Sequence, residues 1–353
     1  MTTERPGFIP NCVPVVRGRE AEYVQECLKT GWVSSVGPFV DRFEREFAAY
    51  VGARHAVATC NGTAALHLAL LCAGVKPGDR VLVPTLTFIA TVNPVRYCGA
   101  EPLLVDAEPT TANVDPRQIL EICERESCAG RRIAAILPAH LYGHPAHLEP
   151  ILAFARQKNI PVIEDASECL GGRLGERHVG TCGLIGCFSF NGNKLITSGG
   201  GGGMLVTDDA TLAARAKHLS VQARSDESEY LHDAVGYNYR LTNIHAAFGC
   251  AQLEQIETVL AAKRRIHDWY ERELQGVPGL TLLKEQPWAR SSHWMSNVLV
   301  EPGVFGADRR DLLRYLASIG IQTRPFFTPM HRLSMYRASE DAFPVAERLY
   351  QQG

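Results

Sequence analysis

Several common sequence patterns are missing from this chain of 353 residues. Its 11 cysteines are scattered singly through apolar stretches, and none belongs to a C-x-x-C pair of the kind found in zinc sites and redox centres. The cysteines therefore predict reduced core thiols in a cytoplasmic protein, with neither a disulfide framework nor a metal site.

The sequence also lacks a strong charge of either sign. Lysine and arginine total 36 and aspartate and glutamate total 38, so the formal net charge is -2. This balance gives no basic footprint for nucleic acid and no polybasic segment for an anionic membrane. The first residues, MTTERPGFIPNCVPVV, lack the basic start and apolar core of a secretory signal. No apolar stretch is long enough to span a bilayer, so we expect a cytoplasmic globular protein without nucleic-acid or membrane partners.

Strand-like apolar runs alternate with helical segments through the first two thirds of the chain. The runs are HAVAT, RVLVPTLT, EPLLVDAE, IAAILPAHL, PVIEDAS, GCFSF and GMLVTDD. This alternation predicts a mainly parallel sheet with helices on both faces, in which loops at the carboxyl ends of the strands build the ligand site. A long helical stretch, Asn243 to Gln275, follows. We expect a large domain over residues 1–242, then a bridging helix and a small C-terminal α/β domain over residues 243–353.

The most distinctive segment, CFSFNGNKLITSGGGGGMLVTDD, contains one lysine, Lys194, followed by a glycine run from Gly199 to Gly203. Glycine tolerates positive φ and adds no side chain, so this run lets the backbone fold sharply beneath a bulky planar ligand. The alternative is a flexible surface loop with a solvated lysine. Apolar runs on both sides place the loop between two buried strands, which favours a ligand site.

A second candidate segment is ATCNGTAALHLALLCAG, in which a strand ends at Thr59 and a helix begins near Thr63. Helix N-termini offer unpaired amides and the positive end of the helix dipole, so Gly62, Thr63 and Ala64 are candidates for a phosphate cradle. An ordinary helix cap is the alternative.

Phe88, in TFIAT, follows a buried strand and could lay its ring on a flat heterocycle, although a core position is the commoner role of phenylalanine.

The segment PVIEDASECLGG ends an apolar run with the carboxylates of Glu164, Asp165 and Glu168. A carboxylate at this depth is costly unless it meets a positive charge, so Asp165 requires a buried cationic partner. A protonated pyridine nitrogen is such a partner. An aspartate on that nitrogen, together with a lysine held as an imine, is what pyridoxal phosphate requires. Ser189, just before the lysine loop, is placed to donate its hydroxyl to the phosphate of the same cofactor.

Six motifs occur in order over nearly the whole chain: NGTAALHLAL, TFIAT, HLYGHP, VIEDAS, FSFNGNKLIT and GYNYRLTNIHAAFG. Together they resemble the DegT/DnrJ/StrS-type sugar-nucleotide aminotransferases, which are pyridoxal-phosphate enzymes of fold type I. The resemblance implies an aspartate aminotransferase-like fold, with a large sheet domain and a small C-terminal α/β domain. The family usually continues through a further strand and helix beyond FPVAERLYQQG, so the resemblance also implies a truncated small domain.

Site roles follow from the same resemblance. Lys194 matches the lysine that binds the cofactor covalently, and Asp165 matches the partner of the pyridine nitrogen. Phe88 matches the ring that stacks on the cofactor, and Glu168 stands where the family places a polar residue near the phenolic oxygen. The matches to phosphate contacts are Thr63, Ala64 and Ser189 of the same chain, and Asn238 in GYNYR, which matches an asparagine of the neighbouring subunit.

The implied activity is transfer of an amino group from L-glutamate to the 4-keto carbon of a nucleotide-linked 4-keto-6-deoxy sugar. FSFNGNK followed by glycines resembles the branch that acts on UDP-4-keto-6-deoxy-N-acetylglucosamine in the bacillosamine and legionaminic acid pathways. A UDP-linked N-acetylated ketosugar is therefore the expected substrate, and the GDP-4-keto-6-deoxymannose of perosamine synthases is the alternative. The match of Asn238 implies a homodimer with shared active sites.

Other classes of protein are alternatives. A sugar dehydratase of the same fold would replace the lysine, typically with histidine, and Lys194 argues against it. The intact set of Lys194, Asp165 and Ser189 disfavours a non-catalytic binding or regulatory protein of this fold. A decarboxylase or lyase with the same cofactor is distinguished by its products, because only transamination makes 2-oxoglutarate from glutamate.

Overall fold

A computed structural model of the chain describes residues 7–226 and 228–353. The α-helices in these residues are α1 (Glu20–Thr30), α2 (Pro38–Val51), α3 (Gly62–Cys72), α4 (Ile89–Tyr97), α5 (Pro116–Cys128), α6 (Leu148–Lys158), α7 (Ala210–Ser220), α8 (Asn243–Leu253), α9 (Ile256–Leu274), α10 (Pro302–Phe305), α11 (Arg309–Ser318) and α12 (Pro344–Gln352). The strands are β1 (His55–Thr59), β2 (Arg80–Pro84), β3 (Glu101–Val105), β4 (Ile133–Ile136), β5 (Ile163–Asp165), β6 (Arg173–Leu174), β7 (Arg177–His178), β8 (Ile185–Ser189), β9 (Gly203–Thr207), β10 (Arg224–Asp226), β11 (Leu231–His232), β12 (Leu280–Leu282), β13 (Ala289–Arg290) and β14 (Val298–Val300).

The central sheet is built from the strands that the apolar runs predicted. Their order across the sheet is β3, β2, β4, β5, β8, β9 and β1. The parallel bridges Ile136 with Val162 and Ala139 with Asp165 join β4 to β5. β9 runs antiparallel to both of its neighbours, whereas the other hydrogen-bonded pairs are parallel. The prediction of a mainly parallel sheet is confirmed.

Alternate residues of the strands face two different hydrophobic clusters, as the two-residue period of a strand requires. On β8 and β9, Phe188, Met204 and Val206 belong to one cluster, while Cys187 and Leu205 belong to the other. The first cluster includes the apolar faces of α2 and α8, and the second includes those of α3, α4 and α7. Helices therefore cover both faces of the sheet, as predicted.

The prediction of one long helix from Asn243 to Gln275 is wrong, because this stretch forms two helices, α8 and α9. At the break, the Gln255 side chain donates Nε2–H to Glu20 Oε1 (2.9 Å) and to the carbonyl of Ala251 (3.2 Å). α8 is buried along most of its length, whereas α9 is mostly exposed. The two halves therefore pack in different surroundings, which the local helical pattern does not reveal.

The C-terminal helix α12 is anchored on the central sheet. Asp106, which follows β3 and is fully buried, accepts hydrogen bonds from the backbone amides of Val345 (3.0 Å) and Ala346 (2.8 Å). The imidazole of His331 connects the loop after β2 to α12, through the Thr85 hydroxyl and a carboxylate of α12, both at 2.7 Å. The last part of the chain is thereby held beside the carboxyl ends of the strands. The domain division at residues 242 and 243 stays a prediction.

Two further observations concern the cysteines and the helices. All 11 cysteines lie within the described residues, each carries a free thiol, and most are buried, as predicted for core thiols. Among the helices of residues 7–226 and 228–353, none is long and apolar enough to cross a membrane.

The anchor of α12 leads to a stability prediction for Asp106→Ala. We expect the free energy of unfolding to fall by about 2 kcal/mol, because the substitution leaves backbone amides of α12 without their acceptor in a buried place. Chemical denaturation measures this change. Asp308→Ala is the control, because Asp308 caps α11 in the same way but at an exposed position, where the loss is about 1 kcal/mol. An Asp106→Ala loss no larger than that of Asp308→Ala would contradict the anchoring role.

Candidate active site

One cavity of about 220 Å³ lies where the carboxyl ends of β1, β2, β4, β5 and β8 meet. This is the edge at which parallel sheets place their ligand sites. Two residues from the C-terminal part of the chain complete the wall. The lining residues are Asn61, Gly62, Thr63, Leu66, Thr87, Phe88, Ala90, Thr91, Ala139, His140, Leu141, Asp165, Ser167, Glu168, Ser189, Asn191, Asn193, Lys194, Trp294 and Phe327.

The cavity contains Lys194 on the loop that follows β8. Lys194 Nζ lies 3.3 Å from Glu168 Oε1 and 4.2 Å from the centroid of the Trp294 ring. The side chain is only 13% exposed, so its amine is held in a partly desolvated place. A solvated surface lysine, the alternative role for this residue, does not fit that position.

The end of the glycine run after Lys194, at Gly202 and Gly203, is buried and packed. The amide of Gly202 donates to the carbonyl of Cys60 (2.7 Å), and the carbonyl of Gly202 accepts from the amide of Phe190 (2.9 Å). A Cβ on Gly203 would lie 2.5 Å from the backbone carbon of Asn61. Glycine is needed here because the backbone of the run passes directly against the start of α3.

The start of α3 forms another wall of the cavity. Asn61 caps the helix by accepting the amide of Ala64 at its Oδ1 (2.8 Å). A Cβ on Gly62 would lie 2.9 Å from the Cβ of Ser189, so glycine allows the helix start to approach the end of β8. Gly62, Thr63 and Ser189 all line the cavity, and the first amides of a helix have no partner within it. Ala64 does not line the cavity, and its amide donates to the cap.

Asp165 lies at the end of β5 and is 6% exposed. Its Oδ2 accepts the Thr91 hydroxyl (2.7 Å), and its Oδ1 accepts the amide of Ser167 (3.1 Å). The Thr91 hydroxyl also pairs with that of Thr87 (2.8 Å). Within the described residues no lysine, arginine or histidine forms a salt bridge with Asp165, so this buried carboxylate has hydrogen bonds but no counter-charge.

The other two carboxylates of the motif have different surroundings. Glu164 faces away from Asp165 and is fully buried, with Oε2 3.0 Å from the Nε2 of His140 and backbone amides as further donors. Burial raises the pKa of Glu164, but His140 and these amides outweigh burial and lower it overall. Glu168 lines the cavity and accepts the amide of Tyr142 (3.0 Å). Burial raises the pKa of the Glu168 carboxyl, and Lys194 opposes this effect.

Aromatic rings form the mouth of the cavity. Phe88 is 50% exposed, and its centroid lies 5.5 Å from that of Phe327. Phe327 stacks on Tyr142 (5.2 Å), and its amide donates to the Tyr142 hydroxyl (3.0 Å). The half-exposed ring of Phe88 therefore belongs to the cavity and not to the core.

Asn238 lies outside the cavity of its own chain and is exposed. The tyrosines on either side of it, Tyr237 and Tyr239, stack with centroids 5.0 Å apart. The carbonyl of Tyr239 accepts the amide of Cys60 (2.8 Å), so this loop runs beside the start of α3. Tyr237 and Tyr239 pack inward, and Asn238 between them faces solvent in the single chain.

Sequence reasoning missed several residues of the cavity, among them Thr91, Trp294 and Phe327. Thr91 lies in the first turn of α4 and Thr87 in the loop before it, so the pairing of their hydroxyls depends on where that helix begins. Trp294 and Phe327 carry no local signal, because only the packing of the C-terminal segments brings them to the strand ends.

The residues of the cavity fit pyridoxal phosphate. Asp165 is a buried carboxylate that lacks a counter-charge among the described residues, as a partner for a protonated pyridine nitrogen should be. The start of α3 and Ser189 offer donors for a phosphate, and Lys194 offers an amine. The cavity and the fold together point to a pyridoxal-phosphate-dependent transferase.

Comparison with known proteins gives the family. The chain belongs to the DegT/DnrJ/EryC1/StrS aminotransferase family, which matches residues 14–353. It is 41% identical to the GDP-perosamine synthase of Escherichia coli O157:H7 over 97% of this chain and 91% of the relative. It is 43% identical to the GDP-perosamine synthase of Caulobacter vibrioides over 95% of this chain and 88% of the relative.

A solved structure has the same fold. S. venezuelae DesV, in complex with a ketimine intermediate, superposes with a TM-score of 0.86 and 30% identity, over 95% of this chain and 87% of that chain. The predicted fold class, cofactor and enzyme class are therefore confirmed: this chain is a pyridoxal-phosphate-dependent sugar aminotransferase.

Proposed function

We propose that this enzyme transfers the amino group of L-glutamate to the 4-keto carbon of GDP-4-keto-6-deoxymannose. The observation that carries this proposal is the likeness to two GDP-perosamine synthases, at 41% and 43% identity over almost the whole chain. The same likeness favours the GDP-linked substrate over the UDP-linked N-acetylated ketosugar that the FSFNGNK motif predicted. Both substrates would place a keto carbon beside Lys194.

Binding of the cofactor is assigned to three parts of the cavity. The start of α3, with Gly62 and Thr63, and the hydroxyl of Ser189 would hold the phosphate. The carboxylate of Asp165, oriented by the Thr91 hydroxyl, would hold the proton on the pyridine nitrogen. The half-exposed ring of Phe88 would cover one face of the pyridine ring.

Proton movement is assigned to Lys194. When bound, pyridoxal phosphate stabilises the negative charge that forms on the carbon next to the transferred nitrogen. Lys194 Nζ would hold the cofactor in the resting enzyme and, as a free amine, would take the proton from the α carbon of glutamate. The same nitrogen delivers a proton to the sugar C4 in the second half of the reaction. One cavity therefore serves both substrates in turn, with ping-pong kinetics.

The surroundings of Lys194 suit this role. Glu168 and the Trp294 ring fix the position of its amine from two sides. The indole Nε1–H of Trp294 donates to the carbonyl of Asn193 (2.8 Å), so the ring is tied to the residue before the lysine. A ring that faces an ammonium group attracts it, so the free amine stays near the reacting carbon.

A shared site between two copies of the chain is also proposed. Asn238 is exposed, and its neighbouring tyrosines are packed inward. The nearby hairpin exposes apolar side chains, with Tyr230 72%, Leu231 57% and Val235 83% exposed. Exposed apolar groups of this kind suit a protein interface. Asn238 would then reach the phosphate that is bound by the neighbouring subunit.

The substrate assignment predicts the outcome of an assay with GDP-, UDP- and dTDP-linked 4-keto-6-deoxy sugars, with glutamate as donor. We expect kcat/KM for GDP-4-keto-6-deoxymannose to exceed that for each of the others by about tenfold or more, because polar groups that recognise one nucleotide are left unpaired by another. Formation of 2-oxoglutarate is the readout, and Lys194→Ala is the inactive control. A preference for the UDP-linked sugar would contradict the assignment, and so would the absence of 2-oxoglutarate with every one of these sugars.

The shared site predicts complementation between two inactive variants. Lys194→Ala and Asn238→Ala should each be impaired, whereas a mixed dimer collects both lesions in one site and leaves the other intact. Random mixing should restore about a quarter of the wild-type activity, because half of the dimers are mixed and each has one intact site. Activity of the mixture and of the purified heterodimers is the measurement, and the purified heterodimers should have about half of the wild-type activity because one of their two sites is intact. Heterodimers without activity would show that Asn238 serves its own chain.

A further inference from the structure

Glu168 is a buried carboxyl whose counter-charge is a reacting group. Its Oε1 lies 3.3 Å from Lys194 Nζ, and its Oε2 accepts the amide of Tyr142 at 3.0 Å. The side chain is 7% exposed. Among the described residues, Lys194 is the one cationic side chain in salt-bridge contact with Glu168.

The other groups around Glu168 do not supply a positive charge. Asp165 adds a negative charge nearby, which raises the pKa of Glu168 further, after the larger effect of burial. His140 is committed to other partners, because its Nδ1 accepts the amide of Ala146 (3.0 Å) and its Nε2 must therefore donate to Glu164. The Tyr142 phenol and the Cys169 thiol are neutral, since burial raises the pKa of both.

The backbone at Tyr142 is built to hold this carboxyl. Tyr142 has φ 56° and ψ 16°, a left-handed conformation that non-glycine residues seldom adopt. The conformation directs the amide to Glu168, while the hydroxyl of the same residue accepts from Phe327. Strain of this kind persists where the surrounding structure requires it, and it clusters at functional sites.

The charge of Glu168 therefore depends on the state of Lys194. A free ammonium group offers a full positive charge and three N–H donors, whereas the nitrogen of a covalent link to a carbonyl carbon retains at most one N–H. A buried carboxylate that loses its partner is strongly destabilised, and such groups take up a proton instead.

We propose that Glu168 is a proton carrier coupled to Lys194, ionised while Lys194 is a free ammonium group and a neutral carboxylic acid while its nitrogen is covalently engaged. The inference rests on the proposed covalent role of Lys194. When the link forms, the ammonium group of Lys194 loses its three protons: two leave with the carbonyl oxygen as water, and the third forms the O–H bond on Glu168. When water breaks the link, that O–H bond breaks and its proton returns to the nitrogen of Lys194, which becomes an ammonium group again. No electrons are transferred, and Glu168 is not left as an unpaired buried charge in either state.

Difference infrared spectroscopy of cofactor-free and cofactor-loaded protein tests this proposal. In the wild-type protein, loading with pyridoxal phosphate should produce the carbonyl band of a protonated carboxyl, at about one per site. The band should shift when the glutamate residues of the protein are labelled with ¹³C. It should be missing in Glu168→Gln. In Lys194→Ala the band should be present before any cofactor is added, because the counter-charge is already gone. A purely structural glutamate would show none of these changes.

Glu254→Gln is the matched control, because Glu254 pairs with Arg42 and Tyr23 outside the cavity. This variant should show the wild-type band. Borohydride reduction and peptide mapping of the same samples measure covalent occupancy of Lys194. Full covalent occupancy of Lys194 without a Glu168 band would contradict the proton-carrier role of Glu168 and leave the proposed function intact. A band already present in the cofactor-free wild-type protein would contradict the same role. Absence of cofactor from Lys194 would overturn the proposed function and the carrier with it.

Discussion

The buried carboxylate of Asp165 is the constraint around which the cavity is arranged. It lies at the end of a strand in the middle of the sheet, with a hydroxyl and an amide as donors but without a cationic side chain among the described residues. A charge in this position is costly unless a ligand brings the opposite charge. The second carboxylate of the cavity, Glu168, has its own cation in Lys194. One lysine therefore balances one of two carboxylates, and the other is left for a cationic ligand atom.

The remainder of the fold positions the groups around these charges. Glycines allow backbone segments to meet closely, with Gly62 against Ser189 and Gly203 against Asn61. These contacts join the helix start, the lysine loop and the strand end into one wall.

The C-terminal part of the chain forms the opposite wall with Trp294 and Phe327. Asp106 and His331 hold the last segments near the strand ends. The stability of that anchor and the geometry of the cavity are thus physically connected.

The sequence was sufficient for features that depend on one segment at a time. Lys194, Asp165, Thr63 and Ser189 each directly follow or precede an apolar run, so the ends of the strands could be located and the parallel sheet brings them together. Phe88 could be placed beside the cavity for the same reason. The roles of these residues stay proposals.

Features that depend on contacts between distant segments could not be predicted. Asn61 accepts the amide of Ala64 as the helix cap, and the expected contact of Ala64 with phosphate stays a prediction. Trp294 reaches Lys194 from a hundred residues further along the chain, and at the break between α8 and α9 the side chain of Gln255 contacts Glu20 from the start of the chain. Asn238 lies outside the cavity of its own chain, so its role depends on a second chain.

The proposed roles of the cavity residues depend on Lys194 as the residue that binds pyridoxal phosphate covalently. Borohydride reduction of the cofactor-loaded protein, followed by proteolysis and mass spectrometry, measures which lysine carries the cofactor. We expect one modified peptide that contains Lys194, and no modification in Lys194→Ala. A cofactor found on another lysine, or a protein that binds no cofactor, would contradict it.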